Sequence, residues 1–190
     1  PLARLEALIR KAPAREYAGV EKALLGALGS PDLTPGGYRV LCRHLGRIGS
    51  DASVPVLSGR LSDAEHTELA RYALEQIGTD RALAALRGAV STAKGARKVA
   101  LINSLGVCRD AAAVPLLTEA CGDADGEVAG SAVAALGRVG TRAALDALTA
   151  AAKQGADASA IDHALLACGE QLIAAGNTVA AAGVYSRLFA

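Results

Sequence analysis

The sequence is almost without aromatic residues: its 190 residues include no Trp, one Phe and four Tyr, and Met is absent as well. Hydrophobic residues nevertheless make up 52% of the chain, and most of them are Ala, Leu and Val. Mixed globular cores are usually anchored by aromatic side chains, whereas small and γ-branched residues suit helices that pack closely on one another. The composition therefore predicts an all-α protein.

The chain also lacks an excess of charge of one sign and a long hydrophobic run. Its 20 Lys and Arg residues balance 19 Asp and Glu residues, which leaves a formal net charge of +1. Nucleic-acid binding proteins usually carry a clear positive excess, so no nucleic-acid partner is expected. Charged residues interrupt every apolar stretch before it reaches the roughly 18 residues of a membrane span, so no membrane partner is expected either.

Cysteine and histidine do not form the patterns that indicate a metal site, a disulfide framework or a catalytic site. The four cysteines include no Cys-x-x-Cys pair and lie among small apolar residues, where Cys behaves as a small hydrophobic residue. The histidines, His44, His66 and His163, do not recur at one position of the repeat described below. Since no Ser or Cys has His and acidic partners in a recurring arrangement, we expect no catalytic residue, no metal and no cofactor.

A repeat of about 31 residues organises the chain. Five segments align on a leucine, here called the anchor, and read LGRIGS, LEQIGT, LGVCRD, LGRVGT and LIAAGN. The anchors are Leu45, Leu74, Leu105, Leu136 and Leu172, at spacings of 29, 31, 31 and 36. Apolar residues recur four positions before each anchor and three positions after it, which is one face of a helix. These residues are Leu41, Ala70, Leu101, Ala132 and Cys168, followed by Ile48, Ile77, Cys108, Val139 and Ala175.

Helix-ending and helix-starting residues follow each anchor directly. Gly stands four positions after the anchor in four copies, where it is expected to adopt the left-handed conformation that ends a helix. The four are Gly49, Gly78, Gly140 and Gly176, and Arg109 replaces Gly in the third copy. The next position always holds a residue that can cap a new helix, namely Ser50, Thr79, Asp110, Thr141 and Asn177. One helix should therefore end and another begin at each of these five points.

The second helix of each repeat has its own apolar stripe, nine, twelve and sixteen positions after the anchor. The residues at nine are Val54, Leu83, Val114, Leu145 and Ala181, those at twelve are Leu57, Leu86, Leu117, Leu148 and Val184, and those at sixteen are Leu61, Val90, Cys121, Ala152 and Leu188. Neither helix can bury its stripe alone, so the pairs should stack. The predicted fold is an α/α superhelix, a right-handed or gently curved solenoid of antiparallel helix pairs, forming a single array over residues 1–190.

Two stretches carry a resemblance to a known family. The sequences VPVLSGRLSD…LARYALEQIGTDRAL and VPLLTEACGDADGEVAGSAVAALGRVGTRAAL resemble the short HEAT-like repeat associated with phycobilisome lyases. The resemblance covers roughly residues 14–190 and is best over 45–153. It implies stacked helix pairs and leaves function open. As an alternative function it implies an accessory subunit of a bilin lyase or a similar chromophore-handling enzyme.

One surface stripe stands out as a candidate site for a protein partner. Arg39, Arg43 and Arg47 are spaced i, i+4, i+8 before and after the first anchor, and Glu68 and Tyr72 take equivalent positions in the next repeat. Arg and Tyr are enriched where interfaces gain most of their energy. We therefore expect a non-catalytic protein-interaction scaffold that binds a partner of unknown identity through these five residues. The alternative is a solvated helix face in which Arg39 pairs with Glu68, an interaction of little energetic weight at a surface.

The ends of the sequence favour a segment of a longer protein. The chain begins with Pro1 and shows no signal peptide, and Val184 and Leu188 of the last apolar stripe have no following helix to cover them. We expect further domains in the parent chain. The composition, rich in Ala, Arg and Gly, is typical of a bacterial protein from a GC-rich genome, and it is compatible with the cytoplasm and with export.

Overall fold

In the computed structural model, residues 16–63 and 65–189 are described, together with Ile9 and Pro13. This part of the chain is 75% helical, contains eleven α-helices and has no β-strand. The helices are α1 (Tyr17–Leu28), α2 (Pro35–Ile48), α3 (Val54–Ser58), α4 (Thr67–Ile77), α5 (Asp80–Val90), α6 (Gly95–Val107), α7 (Val114–Ala120), α8 (Gly126–Val139), α9 (Arg142–Lys153), α10 (Ala158–Ala174) and α11 (Thr178–Leu188). The predicted all-α class is confirmed.

The chain divides into two compact units between Ala89 and Val90. In the first unit α2 packs on α1 and α4, and α3 packs on α4. In the second unit α8 lies between α6 and α10, α9 packs on α7, α8 and α10, and α11 packs on α10. Contacts between neighbouring helix pairs are those of an α-solenoid. The single superhelical array over residues 1–190 stays a prediction.

All five predicted breaks between helices are present, at 49–53, 78–79, 108–110, 140–141 and 175–177. Gly78 and Gly140 adopt the left-handed conformation, with φ of 61° and 63°. Their N–H groups donate to the carbonyls of the anchors Leu74 and Leu136. Arg109 takes the same conformation, with φ of 51°, although it is not a glycine. The third repeat thus forms the left-handed turn without glycine.

The predicted capping residues accept hydrogen bonds from the amides that follow them. Donors lie two or three residues further along the chain, at distances between 3.1 and 3.3 Å. The pairs are Ser50 with Ala52, Thr79 with Ala82, Asp110 with Ala112, Thr141 with Ala144, and Asn177 with Ala180. Thr79, Thr141 and Asn177 therefore cap α5, α9 and α11 as predicted, and Asp110 caps the short 3-10 helix that precedes α7. The prediction is wrong for Ser50, which holds a turn, because α3 begins only after Ser53.

Gly49 does not adopt the expected left-handed conformation. Its φ of −66° and ψ of 155° are extended, and the next amide turns toward Glu21 of α1. The carboxylate of Glu21 is 4% exposed and accepts from Ser50 N at 2.7 Å and from Ser53 Oγ at 2.5 Å. The side chain of Glu21 in α1 thus stabilises the turn between α2 and α3.

Glu21 also makes the first unit sensitive to acid. Burial alone would raise the pKa of Glu21, but hydrogen bonds from Ser53 and Ser50 outweigh burial and lower it. A carboxylate with a lowered pKa stabilises the fold at neutral pH, and this contribution is lost as the pH falls through the folded-state pKa. The charge of Glu21 therefore stabilises the fold at pH 7, and this stabilisation disappears in acid.

We expect Glu21→Gln to lower the free energy of unfolding by about 1–2 kcal/mol at pH 7, because the amide accepts more weakly than the carboxylate. The penalty should shrink in acid, as the pH falls through the folded-state pKa of Glu21 and the wild-type carboxylate takes up a proton. Urea unfolding at pH 7 and at one pH below the folded-state pKa measures the penalty. The control is Glu65→Gln, at an exposed side chain of the same unit. A Glu21→Gln penalty that is equal at both pH values would show that the charge does not matter.

The buried positions confirm the helical repeat. The anchors Leu45, Leu74, Leu105 and Leu136 are 0% exposed and Leu172 is 2% exposed. The column four positions before the anchor and the column twelve positions after it are buried in all five copies. Each first helix therefore presents its stripe to the interior, and each second helix contributes at least one buried residue.

Three predicted columns depart from the pattern in particular copies. Ala175 is exposed because α10 ends one residue before it. Leu83 and Leu145 are half-buried, and Ala82 and Ala144, one position earlier, are 0% exposed in their place. The buried position differs because the second helix does not begin at the same distance from the anchor in every repeat. The column sixteen positions after the anchor is also mixed, since Cys121, Ala152 and Leu188 are half-buried.

The start of the second helix differs between two kinds of repeat. In the repeats with Pro55 and Pro115, the helix begins at Val54 or Val114, after a turn of three residues. In the second and fourth repeats the helix begins two residues after the glycine, directly after Thr79 or Thr141. The helical phase shifts accordingly, so that the buried stripe moves by one residue.

Candidate docking surface

Helix α2 is fixed by a cap at its start and a buried face along its length. Thr34 Oγ1 accepts from Gly37 N at 3.1 Å, and Pro35 occupies the first turn. The face toward the interior is formed by Tyr38, Leu41, Cys42, Leu45 and Ile48.

Because this face is buried, the opposite side of α2 is presented to solvent. It carries Arg39, Arg43 and Arg47, all three of which are exposed. The predicted spacing thus places three arginines on successive turns of one surface. Arg47 lies in the last turn of α2, where a cation also interacts favourably with the helix dipole.

Helix α4 contributes the neighbouring part of the surface. Glu68 and Tyr72 are exposed, and 45% of Tyr72 is accessible. Helix α4 packs on α2, and Gly46 of α2 allows this because a Cβ there would lie only 3.1 Å from Gln76 Cβ. The five residues Arg39, Arg43, Arg47, Glu68 and Tyr72 are called the Arg–Tyr surface below.

Glu68 forms its ion pair within its own helix. Arg71 Nη2 lies 2.9 Å from Glu68 Oε2, and Arg71 Nη1 lies 3.0 Å from Glu75 Oε2. The alternative considered from the sequence was a pairing between Glu68 and Arg39. In the structure Arg71 is the cation that engages Glu68, so both acidic residues of this helix are held by one arginine.

Tyr38 is buried beneath this surface and supports it. It is 3% exposed, and its ring lies 4.1 Å from the ring of His66 in an edge-on arrangement. His66 Nδ1 lies 2.8 Å from Asp63 Oδ2. The contact joins α2 to the loop that leads into α4. Tyr38 directly precedes Arg39 in the sequence, and spacing alone does not show that its ring is buried.

Three of the four thiols, one of them on α2, are not activated. Burial raises the pKa of Cys42 to about 11, and burial raises the pKa values of Cys121 and Cys168 to about 11 as well. These thiols are protonated at neutral pH and are therefore poor nucleophiles. Among the residues that the structure describes, no group of three or more His, Cys, Asp or Glu side chains could hold a metal ion.

The equivalent positions in the second unit carry little charge. On α6 they are Val99 and Asn103, both half-buried, and Val107, which is 57% exposed. On α8 they are Gly130, Ala134 and Arg138, of which only Arg138 is charged. The concentration of arginine is thus a property of α2 and not of the repeat as such.

Comparison with known proteins supports a HEAT-like repeat protein. The family model of HEAT repeats matches residues 91–168, which lie in the second unit. No curated protein sequence matches the chain. In the described part of the chain, no helix is both long enough and apolar enough to cross a membrane. HEAT repeats commonly act as protein-interaction scaffolds, and the fold is typically non-catalytic.

Proposed function

We propose that this chain is a non-catalytic protein-interaction module and that its partner docks on the Arg–Tyr surface. The observation that supports this most directly is the arrangement of exposed side chains on α2 and α4. Three arginines are exposed on successive turns of α2, and Tyr72 of the helix α4 that packs on α2 is 45% exposed. Arg and Tyr offer planar contact area at a modest cost in side-chain entropy, and they are the residues on which binding energy concentrates.

The alternative of a chromophore-handling accessory subunit would need a pocket in which polar groups converge on a large conjugated ligand. One of the larger grooves in the second unit, of about 480 Å³, is lined mainly by the turns around Gly140 and Ala175. Its lining also includes the polar side chains of Arg109, Arg142 and Gln171, so the preference for a protein partner does not rest on this groove. The exposed residues of α2 and α4 favour a protein partner.

The proposal is tested with the partner that co-purifies with the protein from its native source. We expect the double substitution Arg43→Ala/Tyr72→Ala to raise the Kd for that partner at least tenfold, as removal of two interface anchors does, while the melting temperature stays nearly unchanged. Isothermal titration calorimetry measures the Kd.

The matched control is Val56→Ala/Arg81→Ala, which removes an apolar and a cationic side chain from exposed positions of α3 and α5 in the same unit. This control should bind like the wild type. An unchanged Kd in Arg43→Ala/Tyr72→Ala would move the docking site away from α2 and α4.

A further inference from the structure

We infer that a groove in the second unit binds the phosphate group of a small organic ester. The groove lies where the turn between α8 and α9 meets the turn between α10 and α11, and its volume is about 480 Å³, within the roughly 300–1,000 Å³ of ligand sites in proteins. It is called the turn groove below and is defined by Arg109, Arg142, Gln171, Val139, Leu172 and Ala174. None of these residues belongs to the Arg–Tyr surface, so the inference does not rest on the proposed function.

Arg109 is the first observation that points to a ligand. It stands four positions after its anchor, where the other four repeats have glycine, and its backbone has a φ of 51°. This left-handed conformation crowds the Cβ of any residue other than glycine, whereas glycine adopts it freely. Strained backbone is concentrated at sites where a particular side chain has a function. The strain therefore indicates a role for the arginine side chain in the turn groove.

Arg142 supplies a second cation to the turn groove from the next repeat. Its Nε donates to Asp146 Oδ1 at 3.0 Å, one turn further along α9. The side chains of this pair are 68% and 62% exposed, and an exposed pair holds its partners weakly, so the two Nη groups of Arg142 can donate to a ligand. Among the described residues that line the groove, none is Asp or Glu. An anion in the groove would thus meet guanidinium groups of two successive repeats.

Gln171 contributes an amide whose position depends on Gly140. A Cβ at Gly140 would lie 2.6 Å from Gln171 Cγ, so the side chain of Gln171 occupies space that any larger residue at position 140 would need. Its amide nitrogen can donate a hydrogen bond to an oxygen of the ligand. Val139 and Leu172 are 5% and 2% exposed and give the lining an apolar part. The groove therefore offers cationic, amide and apolar contacts together.

A phosphate monoester fits these contacts better than a carboxylate does. It carries a charge of about −1.5 to −2 near pH 7 and three terminal oxygens that accept hydrogen bonds. A guanidinium group can donate two parallel hydrogen bonds to a phosphate, so two arginines and one amide match both the charge and the number of oxygens. A carboxylate has one charge and two oxygens. The apolar part of the lining favours an ester with a small hydrophobic group over inorganic phosphate.

The test compares phenyl phosphate with benzoate and with inorganic phosphate, each titrated into the ¹⁵N-labelled protein and followed by NMR. We expect phenyl phosphate to bind at least tenfold more tightly than either of the others, because only phenyl phosphate has both the dianionic group and the apolar ring. The amide signals of Arg109, Gly140 and Gln171 should shift most. Added salt should weaken the binding, because exposed charges are screened beyond about 10 Å at 0.1 M ionic strength.

Arg109→Gly separates binding from folding. It restores the glycine of the other four repeats, so it should raise the melting temperature, since glycine adopts the left-handed conformation without strain. The same substitution removes a guanidinium group, so it should weaken the binding of phenyl phosphate at least tenfold. Gln171→Glu, which places a carboxylate in the groove, should weaken it as well. The control Lys153→Ala removes an exposed cation of α9 outside the lining and should leave the affinity unchanged.

Four results would overturn the inference. The first is that the signals of the groove residues do not move with millimolar phenyl phosphate, and the second is that benzoate or inorganic phosphate binds equally well. The third is that Arg109→Gly keeps the wild-type affinity, or that it lowers the melting temperature, which would show that Arg109 serves the turn itself. The fourth is that a phosphoserine peptide binds at least tenfold more tightly than phenyl phosphate, since the ligand would then be a modified protein.

Discussion

Leu136→Ala will lower the free energy of unfolding by roughly 2–5 kcal/mol, the usual cost of a cavity left by a buried leucine. Leu136 is 0% exposed, and its helix α8 packs on both α6 and α10. The lost side chain therefore leaves a gap that helices on two sides would have to close. Urea unfolding followed by circular dichroism measures the loss.

Two further leucines test whether position in the stack matters. Leu172→Ala removes an anchor of the last helix pair, where α10 has α11 as its final neighbour, and it should cost less than Leu136→Ala because each repeat is stabilised by its neighbours. Leu166→Ala, at a side chain that is 38% exposed, should cost least. Equal losses for Leu136→Ala and Leu172→Ala would contradict a stack coupled through neighbouring repeats.

The first helices were largely predictable from the sequence because helical periodicity is a strong signal when it recurs five times. The anchors and the residues four positions before them share one face, so an error in one copy is corrected by the others. The breaks were predictable for a chemical reason: a left-handed glycine followed by a capping side chain ends one helix and starts another. Neither signal depends on long-range contacts.

The second helices were predicted less well because their phase depends on where each helix begins. A single offset from the anchor does not describe both kinds of repeat. The structure separates repeats with an early proline, such as Pro115, from repeats in which the helix follows Thr79 or Thr141 almost directly. Ala82 and Ala144 are then buried in place of the larger Leu83 and Leu145.

For the candidate surface, too, the sequence predicts the features that local spacing determines and misses those that depend on tertiary contacts. The exposure of Arg39, Arg43 and Arg47 follows from helical spacing alone, and the structure agrees with it. The choice of Arg71 as the partner of Glu68 depends on side-chain conformations that spacing does not determine. The buried contact between Tyr38 and His66 depends on the path of the loop between α3 and α4.

The sequence contains a signal for close helix packing that the repeat pattern of apolar residues does not include. Glycine directly follows the anchor in three copies, as Gly46, Gly106 and Gly137. A Cβ at Gly106 would lie 2.9 Å from Ala135 Cα, and a Cβ at Gly137 would lie 2.6 Å from the carbonyl oxygen of Ala164. In each case the atom belongs to a helix of the next repeat, so the glycine allows two first helices to approach closely. The recurring Leu-Gly pair was the signal.

We therefore expect Gly137→Ala to lower the free energy of unfolding by about 3 kcal/mol, at the upper end of the usual cost of overpacking. The added methyl group meets backbone atoms of Ala164, with the Cα at 2.8 Å, and backbone cannot move aside as a flexible side chain can. Helices α8 and α10 must separate. This outweighs the gain of about 1 kcal/mol that alanine usually brings to a helix interior.

Gly130→Ala is the matched control, because it makes the same substitution in the same helix at a position where a Cβ would have no atom within 4 Å. Here only the helix propensity changes, so Gly130→Ala should raise the free energy of unfolding by up to about 1 kcal/mol. Urea unfolding of the two variants should thus give shifts of opposite sign. Stabilisation by both substitutions would mean that α8 and α10 are not in close contact at Gly137, whereas destabilisation by both would point to a requirement for glycine along α8 that is unrelated to α10.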